Sequence, residues 1–122
     1  MTDNGWHKVD PVDVPDGHLT YVGIRHEGAA SFAASAYGKL TGRPAACLAI
    51  AGPGSTNLLT GLYDAKLDGA PVIAISGQVP SKVRGRGAFQ DVDLSAVFAV
   101  LSRHLPADGP ALLCVEQDAE LL

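Results

Sequence analysis

The sequence has few of the features that mark secreted, membrane-bound or nucleic-acid-binding proteins. Its only two cysteines, Cys47 and Cys114, each lie in an apolar run, which suits buried thiols better than a disulfide framework or a metal site. No apolar run approaches the roughly 18 residues that span a bilayer, and the chain begins with a polar stretch. The net charge of −4 provides no basic stripe for a phosphate backbone. We therefore expect a cytoplasmic protein with no membrane or nucleic-acid partner.

The apolar content is nevertheless sufficient for one compact domain. Of the 122 residues, 47% are hydrophobic, which is enough to build a real core. Residues 1–18 are rich in proline and aspartate without a sustained period, so they predict an irregular leader. We expect residues 19–122 to form a single domain.

Short apolar runs alternate with helical patterns along this domain. Residues 45–51 are apolar without alternation, which is typical of a strand that is covered on both faces. Three helices are predicted between the strands. The order predicts an α/β fold in which helices flank a parallel sheet in three layers. The four predicted strands are Leu19–Ile24, Ala45–Ala51, Pro71–Ser76 and Ala111–Val115.

The first predicted helix is rich in alanine and ends at Thr41-Gly42. Its apolar residues recur at three- and four-residue spacing, which predicts one buried stripe. The alanines would let the helix lie close to a neighbour, and a face of small residues is often an interface. The predicted stripe consists of Ala29, Ala30, Phe32, Ala33, Ala36, Tyr37 and Leu40.

Two loops carry the candidate chemistry. Glu27 follows the first predicted strand, and the glycine-rich turn 52–54 follows the second. Because parallel strands deliver their C-terminal ends to one edge of a sheet, both should face one crevice. Asn57 stands where a dinucleotide fingerprint would need its third glycine, and no phosphate-loop lysine follows, so a nucleotide-binding domain is disfavoured. The long loop 77–90 is of a length that is usually functional or mobile.

Simpler structural roles are open for several of these residues. Glu27 could serve only as a first-turn carboxylate that offsets the helix dipole. His26 is more typical of a structural hydrogen-bonding residue at a strand end. Ser55, Thr56 and Asn57 are all capable of capping the second helix, and either Asp91 or Asp93 could cap the last one. Each of these structural roles is an open alternative to a role in ligand binding or catalysis.

Taken together, the ordered blocks resemble the pyrimidine-binding, N-terminal domain of thiamine-diphosphate-dependent enzymes. The resemblance extends from about residue 19 to 120 and is closest to the acetolactate synthase and pyruvate oxidase branch. It implies an abbreviated form of the thiamine-diphosphate-binding fold. The blocks that carry it are His26–Ala30, Tyr37–Gly42, Gly52–Asn57, Pro71–Gln78 and Ala88–Asp91.

The resemblance also implies roles for individual residues. Glu27 would be the catalytic carboxylate that hydrogen-bonds a ring nitrogen of the aminopyrimidine, with a pKa raised by a dry crevice. Pro53 and Asn57 would face the cofactor beside it. Phe89 and Gln90 would face the substrate, where a ring excludes water and an amide binds a keto acid. For the last two, a loop anchor and a surface amide are equally open alternatives.

The other half of such a site is not found in this sequence. The family's second domain holds Mg²⁺ and the diphosphate through Gly-Asp-Gly and a downstream Asn, but here only Asn4 and Asn57 occur and Gly-Asp-Gly is absent. The resemblance therefore implies that no metal ligand lies in this chain. It also implies a partner domain or subunit in a homo- or hetero-oligomer.

By the same resemblance, the full assembly would act on pyruvate or a related 2-keto acid. The reaction would be decarboxylation followed by transfer or oxidation of the acyl carbanion, with FAD as an additional cofactor left open. We expect the chain to be inactive alone. The alternative is a non-catalytic fragment or assembly module that retains the fold.

Overall fold

The computed structural model describes residues 21–102 and 111–116, and in these ranges helices and parallel strands alternate. Three strands form one sheet in the order β1-β2-β3, which confirms the predicted α/β class with a parallel sheet. The elements are α1 (Glu27–Thr41), β1 (Ala45–Ala49), α2 (Pro53–Asn57), α3 (Leu59–Leu67), β2 (Val72–Gln78), α4 (Leu94–Ser102) and β3 (Ala111–Glu116).

The predicted strand at Leu19–Ile24 is wrong where the structure describes it. Residues 21–24 have no strand, and Tyr21 and Val22 are 60% and 70% exposed. A strand needs a hydrogen-bonded neighbour, and among the described residues β1 pairs only with β2. Residues 19 and 20 and the predicted leader 1–18 lie outside the described residues.

The sheet buries one face and exposes the other among the described residues. Along β1, Cys47 and Ala49 are buried, whereas Leu48 between them is 64% exposed. Along β2, Val72 is buried and the next residue, Ile73, is 40% exposed. The prediction that β1 is covered on both faces is therefore wrong, and three layers are not confirmed.

Helices α1, α3 and α4 share one core with the buried face of the sheet. Their side chains pack with those of β1 and β2, so this face is buried, whereas Leu48 and Ile73 on the opposite face are exposed. The residues of the core are Ala34, Cys47, Ala49, Leu58, Leu62, Ala65, Ala70, Val72, Ala74, Leu94, Phe98 and Leu101.

Helix α1 has the predicted ends but not the predicted buried face. It ends at Thr41, where Gly42 adopts the left-handed conformation with φ 67°. Phe32 and Leu40, which belong to the predicted stripe, are 46% and 86% exposed. The face that is buried instead consists of small residues, namely Gly28, Ser31, Ala34, Ser35 and Gly38.

Close backbone contact explains why only small residues fit under α1. A Cβ at Gly61 on α3 would lie 2.6 Å from the backbone nitrogen of Phe32, and a Cβ at Gly38 would lie 2.9 Å from the Pro71 carbonyl oxygen. Larger side chains on this face would hold the elements apart. The large apolar side chains of α1, Phe32, Tyr37 and Leu40, are therefore exposed, and only the small Ala34 belongs to the buried core.

Charged groups at the rim join α1 to α3. Lys39 Nζ lies 2.7 Å from Asp64 Oδ2 and 2.6 Å from Asp68 Oδ2, and the Ser35 hydroxyl donates to the same Asp64 oxygen. Hydrogen bonds from Lys39 and then Ser35 lower the pKa of Asp64. Hydrogen bonds to Asp64 and Asp68 raise the pKa of Lys39. The network therefore favours the charged form of both partners.

The helical segment after β1 begins earlier than predicted and is interrupted. Helix α2 begins at Pro53 after Gly52, without a side-chain cap, and Leu58 separates α2 from α3. The Ser55 hydroxyl does not cap the helix, because it bonds the Ile50 carbonyl and the Ser76 hydroxyl. These buried contacts fix α2 to the C-terminal ends of β1 and β2.

Candidate functional site

The candidate site lies beyond the C-terminal ends of the strands, where α1 and α2 meet. Glu27 is the first residue of α1 and Asn57 is the last of α2. The Asn57 side-chain amide donates to Glu27 Oε2 at 3.1 Å. The predicted proximity of the Glu27 loop and the glycine turn is therefore confirmed.

Local structure at the start of α1 fixes the position of Glu27. His26 is the N-cap residue, and its Nδ1 accepts a hydrogen bond from the Gly28 backbone N–H at 3.1 Å. The structural role considered for His26 is thus confirmed. Because this cap satisfies one of the free N–H groups of α1, the carboxylate of Glu27 is left to face the second loop.

Gly54 provides space for the Glu27 carboxylate. A Cβ at Gly54 would lie 3.1 Å from Glu27 Oε1, closer than most real contacts of such a carbon. Both carboxylate oxygens therefore lie next to α2. Oε2 accepts a hydrogen bond from the Asn57 amide, and Oε1 lies close to Gly54, which has no side chain. A larger residue at position 54 would displace this oxygen.

The pKa of Glu27 is lowered, not raised. The main cause is the hydrogen bond from the Asn57 side chain, and a backbone hydrogen bond acts in the same direction. Desolvation raises the pKa but is outweighed, because Glu27 is only half-buried. The dry crevice that was expected to protonate this carboxyl is not formed by the described residues.

The loop after β2 folds back onto the same glycine turn. A Cβ at Gly52 would lie 2.7 Å from the Gln90 carbonyl oxygen and 2.8 Å from Gln90 Cα, and Gly52 itself has φ 65°. Gly52 is therefore required both by its backbone conformation and by the close approach of Gln90. Pro53 follows at the start of α2 and is exposed.

A shallow apolar groove of about 580 Å³ lies beside this contact on the exposed face of the sheet. Its lining includes Leu48, Ile50 and Ile75 from the strand ends and Phe89 and Gln90 from the loop. Phe89 is 88% exposed, so the alternative that it anchors the loop in the core is wrong. The five predicted site residues thus converge on one edge, with Glu27 and Asn57 in direct contact.

The residues at this edge suit the aminopyrimidine end of thiamine diphosphate. They offer a carboxylate, an amide and a glycine turn without side chains, which a flat ring with polar edges could approach. Within residues 21–102 and 111–116, no group of three or more His, Cys, Asp or Glu side chains could hold a metal ion. The same ranges contain no helix that is long and apolar enough to cross a bilayer.

The cysteine prediction is confirmed for Cys47, which is a free, buried thiol. Desolvation raises its pKa to about 11, so it is an unreactive core residue. Cys114 belongs to β3, and its side chain lies outside the described residues.

Sequence reasoning missed several residues that shape the site. It did not assign the Gly54 contact with Glu27, the Gly52 contact with Gln90 or the buried hydroxyl pair of Ser55 and Ser76. The glycine run itself was the available signal for the first two. The hydroxyl pair joins residues 21 positions apart, so local patterning offered no signal for it.

The structure is an α/β domain with a parallel sheet, and its carboxylate and amide lie at the C-terminal edge, where domains of this class usually bind ligands. The chain belongs to the family described as thiamine pyrophosphate enzyme, N-terminal TPP binding domain, whose family model matches residues 8–97. The resemblance drawn from the sequence blocks is thereby confirmed.

Individual relatives point to the same family. The chain is 52% identical over 90 residues to YdaP of Bacillus subtilis, whose provisional name describes a thiamine pyrophosphate-containing protein; the match covers 71% of this chain and 16% of that protein. It is 45% identical over 89 residues to the Escherichia coli acetolactate synthase isozyme 2 large subunit, covering 73% of this chain and 16% of that protein. It is 44% identical over 88 residues to acetolactate synthase of Arthrospira platensis, with coverages of 72% and 15%. The chain thus spans about a sixth of the length of these curated relatives.

Proposed function

We propose that this chain is the pyrimidine-binding part of a thiamine-diphosphate-dependent enzyme that acts on pyruvate or a related 2-keto acid. The reaction would be decarboxylation followed by transfer or oxidation of the acyl carbanion. Thiamine diphosphate supplies the carbanion chemistry when bound, and the protein supplies placement and polarity. Membership of the family and the acetolactate synthase relatives support this proposal.

One observation carries the proposal at the level of residues. Glu27 and Asn57, thirty positions apart in sequence, are joined by a 3.1 Å hydrogen bond across a glycine turn. A carboxylate that merely offset the dipole of α1 would need neither the amide nor the space above Gly54. The pair therefore has the composition of a site that binds a polar ring edge.

The resemblance to the family supports a role for each of these side chains. Glu27 would hold a proton between its carboxylate and a ring nitrogen of the aminopyrimidine, and Asn57 would orient that carboxylate. Pro53 would contact the ring beside them. Phe89 and Gln90 would face the substrate, with the amide of Gln90 as donor to a keto acid. A covering domain would remove water from Glu27 and oppose the present lowering of its pKa.

Mg²⁺ and the diphosphate would be held by another domain or subunit. The same domain would complete the crevice, in keeping with the larger relatives. Further elements on the exposed face of the sheet would give the predicted three layers. The full assembly would be a cytoplasmic oligomer, able to carry FAD outside this chain, and this chain alone would show no turnover.

A second candidate function is a non-catalytic assembly module. The observation that favours it is the exposed apolar surface on α1, where Phe32, Tyr37 and Leu40 are 46%, 43% and 86% exposed. Such a surface is typical of a protein interface. Under this alternative, partner binding would depend on these three residues and would survive loss of Glu27.

Ligand titration followed by backbone NMR tests the proposed function. The ¹⁵N-labelled chain would be titrated with thiamine diphosphate and, separately, with a 4-aminopyrimidine fragment that lacks the diphosphate. Because only one end of the cofactor would be held, we expect affinity in about the millimolar range or weaker. Both ligands should shift the amide signals of Glu27, Gly54 and Asn57.

The two ligands distinguish the pyrimidine end from a nonspecific phosphate effect. Shifts produced by thiamine diphosphate but not by the fragment would show that the diphosphate, not the ring, is bound. Shifts confined to other parts of the chain, with both ligands at saturating concentration, would contradict the assignment of Glu27 and Asn57.

A further inference from the structure

The two ends of the segment between β2 and α4 are joined by a hydrogen bond, and three residues within it have positive φ. The Gln78 side chain donates to the Val92 carbonyl at 3.0 Å, which joins the two ends of the segment. Between these ends, Gly85, Gly87 and Gln90 have φ of 73°, 71° and 65°. Glycine adopts this conformation readily, but glutamine does so only when surrounding contacts hold it.

Asp91 supplies those contacts from the adjacent position. Its Oδ2 accepts hydrogen bonds from the backbone N–H groups of Arg86 at 3.0 Å and Gly87 at 3.1 Å. Its own backbone N–H donates to the Ala88 carbonyl at 3.0 Å. Residues 86–91 are thus closed into a ring by one residue, which leaves little freedom for the dihedral angles of Gln90.

The backbone amides act on the charged form of Asp91. They lower its pKa, and the groups responsible belong first to Gly85 and then to Gly87, Arg86 and Ala88, against an opposing desolvation. Hydrogen bonds from N–H groups to a carboxylate are shorter and stronger than those to a neutral acceptor. The ring is therefore organised around an ionised side chain.

The closed 86–91 segment contacts the candidate site through Gln90. Gln90 is held with its Cα and carbonyl oxygen against Gly52, at distances that leave no room for a Cβ there. Gly52 in turn precedes α2, whose last residue, Asn57, bonds Glu27. The conformation of the loop and the position of the glycine turn are thereby coupled.

We propose that Asp91 is a positioning residue, which holds the 85–91 loop in the one shape that places Gln90 against the glycine turn at Gly52. This role concerns the conformation of the loop and does not require a ligand. Its consequence for substrate recognition by Gln90 rests on the proposed function.

The simpler role for an aspartate at this point, a cap on α4, belongs to a different residue. Asp93 Oδ1 accepts the Ala96 backbone N–H at 3.0 Å, which is the geometry of a helix N-cap. Asp91 makes no such bond to α4 among the hydrogen bonds described for it. The two aspartates, two positions apart, therefore serve separate structures, and Asp93 provides a matched control.

The test compares Asp91→Ala, Asp91→Asn and Asp93→Ala in the full chain by NMR. One readout is hydrogen exchange of the Arg86 and Gly87 amides, and the other is the cross-relaxation peak between the Hα atoms of Gly52 and Gln90. Asp91→Ala should speed exchange of both amides by about tenfold or more and remove the peak, because the acceptor is lost. Amides of β1 and β2 should exchange as in the parent chain.

The other two variants separate positioning from general destabilisation. Asp91→Asn keeps an oxygen that can accept both N–H groups, so it should retain the Gly52–Gln90 peak. Asp93→Ala should retain the peak, and the Arg86 and Gly87 amides should exchange as slowly as in the parent chain. Only the start of α4 should become less stable. Persistence of the peak and of amide protection in Asp91→Ala would overturn the proposal.

The same samples distinguish this proposal from the proposed function. If Asp91→Ala releases the loop but the parent chain shows no response to the aminopyrimidine fragment, the positioning role stands and the ligand assignment fails. If the parent binds the fragment and Asp91→Ala leaves the loop in place, the ligand assignment stands and the positioning role fails.

Discussion

The two faces of the sheet differ in what covers them and in what they do. The face with Cys47 and Val72 is packed against α1, α3 and α4, whereas Leu48 and Ile73 on the other face are exposed. Glu27 lies at the start of α1, which packs on the covered face, and its carboxylate accepts a hydrogen bond from Asn57 at the end of α2. The exposed face ends in an apolar groove beside the same edge. The candidate site residues are thus positioned by two of the three predicted layers, namely the sheet and the helices on its covered face.

The largest expected difference between the faces is in the free energy of unfolding. Leu62→Ala removes an α3 side chain from the core on the covered face, where it is 2% exposed, and should cost about 2–5 kcal/mol. Leu48→Ala removes the same group from a position that is 64% exposed and should stay within about 0.5 kcal/mol. Urea unfolding of both variants and the parent chain measures the difference. Equal losses would show that the two faces are covered alike.

A somewhat smaller effect is expected where α1 and α3 cross. Gly61→Ala places a Cβ 2.6 Å from the Phe32 backbone nitrogen, so the helices must separate, at a cost of about 1–3 kcal/mol. Gly23→Ala is the matched control, because a Cβ there meets only the Tyr21 ring at 3.7 Å. Thermal unfolding followed by circular dichroism compares the two. A midpoint for Gly61→Ala equal to that of Gly23→Ala would contradict the close crossing.

The comparison of faces also explains which parts of the fold could be predicted. Apolar runs identified β1, β2 and β3, and the glycine after Thr41 identified the end of α1, because these signals are local. The buried face of α1 could not be predicted from hydrophobicity. Its close contact with Gly61 admits only small residues, so Phe32 and Leu40 are excluded from the core by geometry that involves a distant segment.

In the candidate site, too, some features could be predicted from the sequence and others depend on three-dimensional contacts. The proximity of Glu27 and the glycine turn was predicted from the ends of two parallel strands, but residues 21–24 have no strand before Glu27. The hydrogen bond between Glu27 and Asn57 instead joins the start of α1 to the end of α2. The sign of the Glu27 pKa shift could not be predicted, because it depends on a specific amide donor outweighing desolvation. Likewise, two aspartates near α4 could be recognised as caps, but only three-dimensional contacts assign Asp93 to the helix and Asp91 to the loop.

The most direct test of the central claim is to place this site in a complete enzyme. Residues 8–97 of this chain would replace the equivalent segment of the Escherichia coli acetolactate synthase isozyme 2 large subunit, and acetolactate formation from pyruvate would be measured. The hybrid should be active. Glu27→Gln should lower its turnover by about 10² or more, the scale of a lost general acid or base, while thermal stability is unchanged. Arg43→Gln, before β1 at the opposite end of the strand, is the control and should leave turnover unchanged. Equal turnover of an active hybrid and its Glu27→Gln variant would contradict the claim that Glu27 is the catalytic carboxylate.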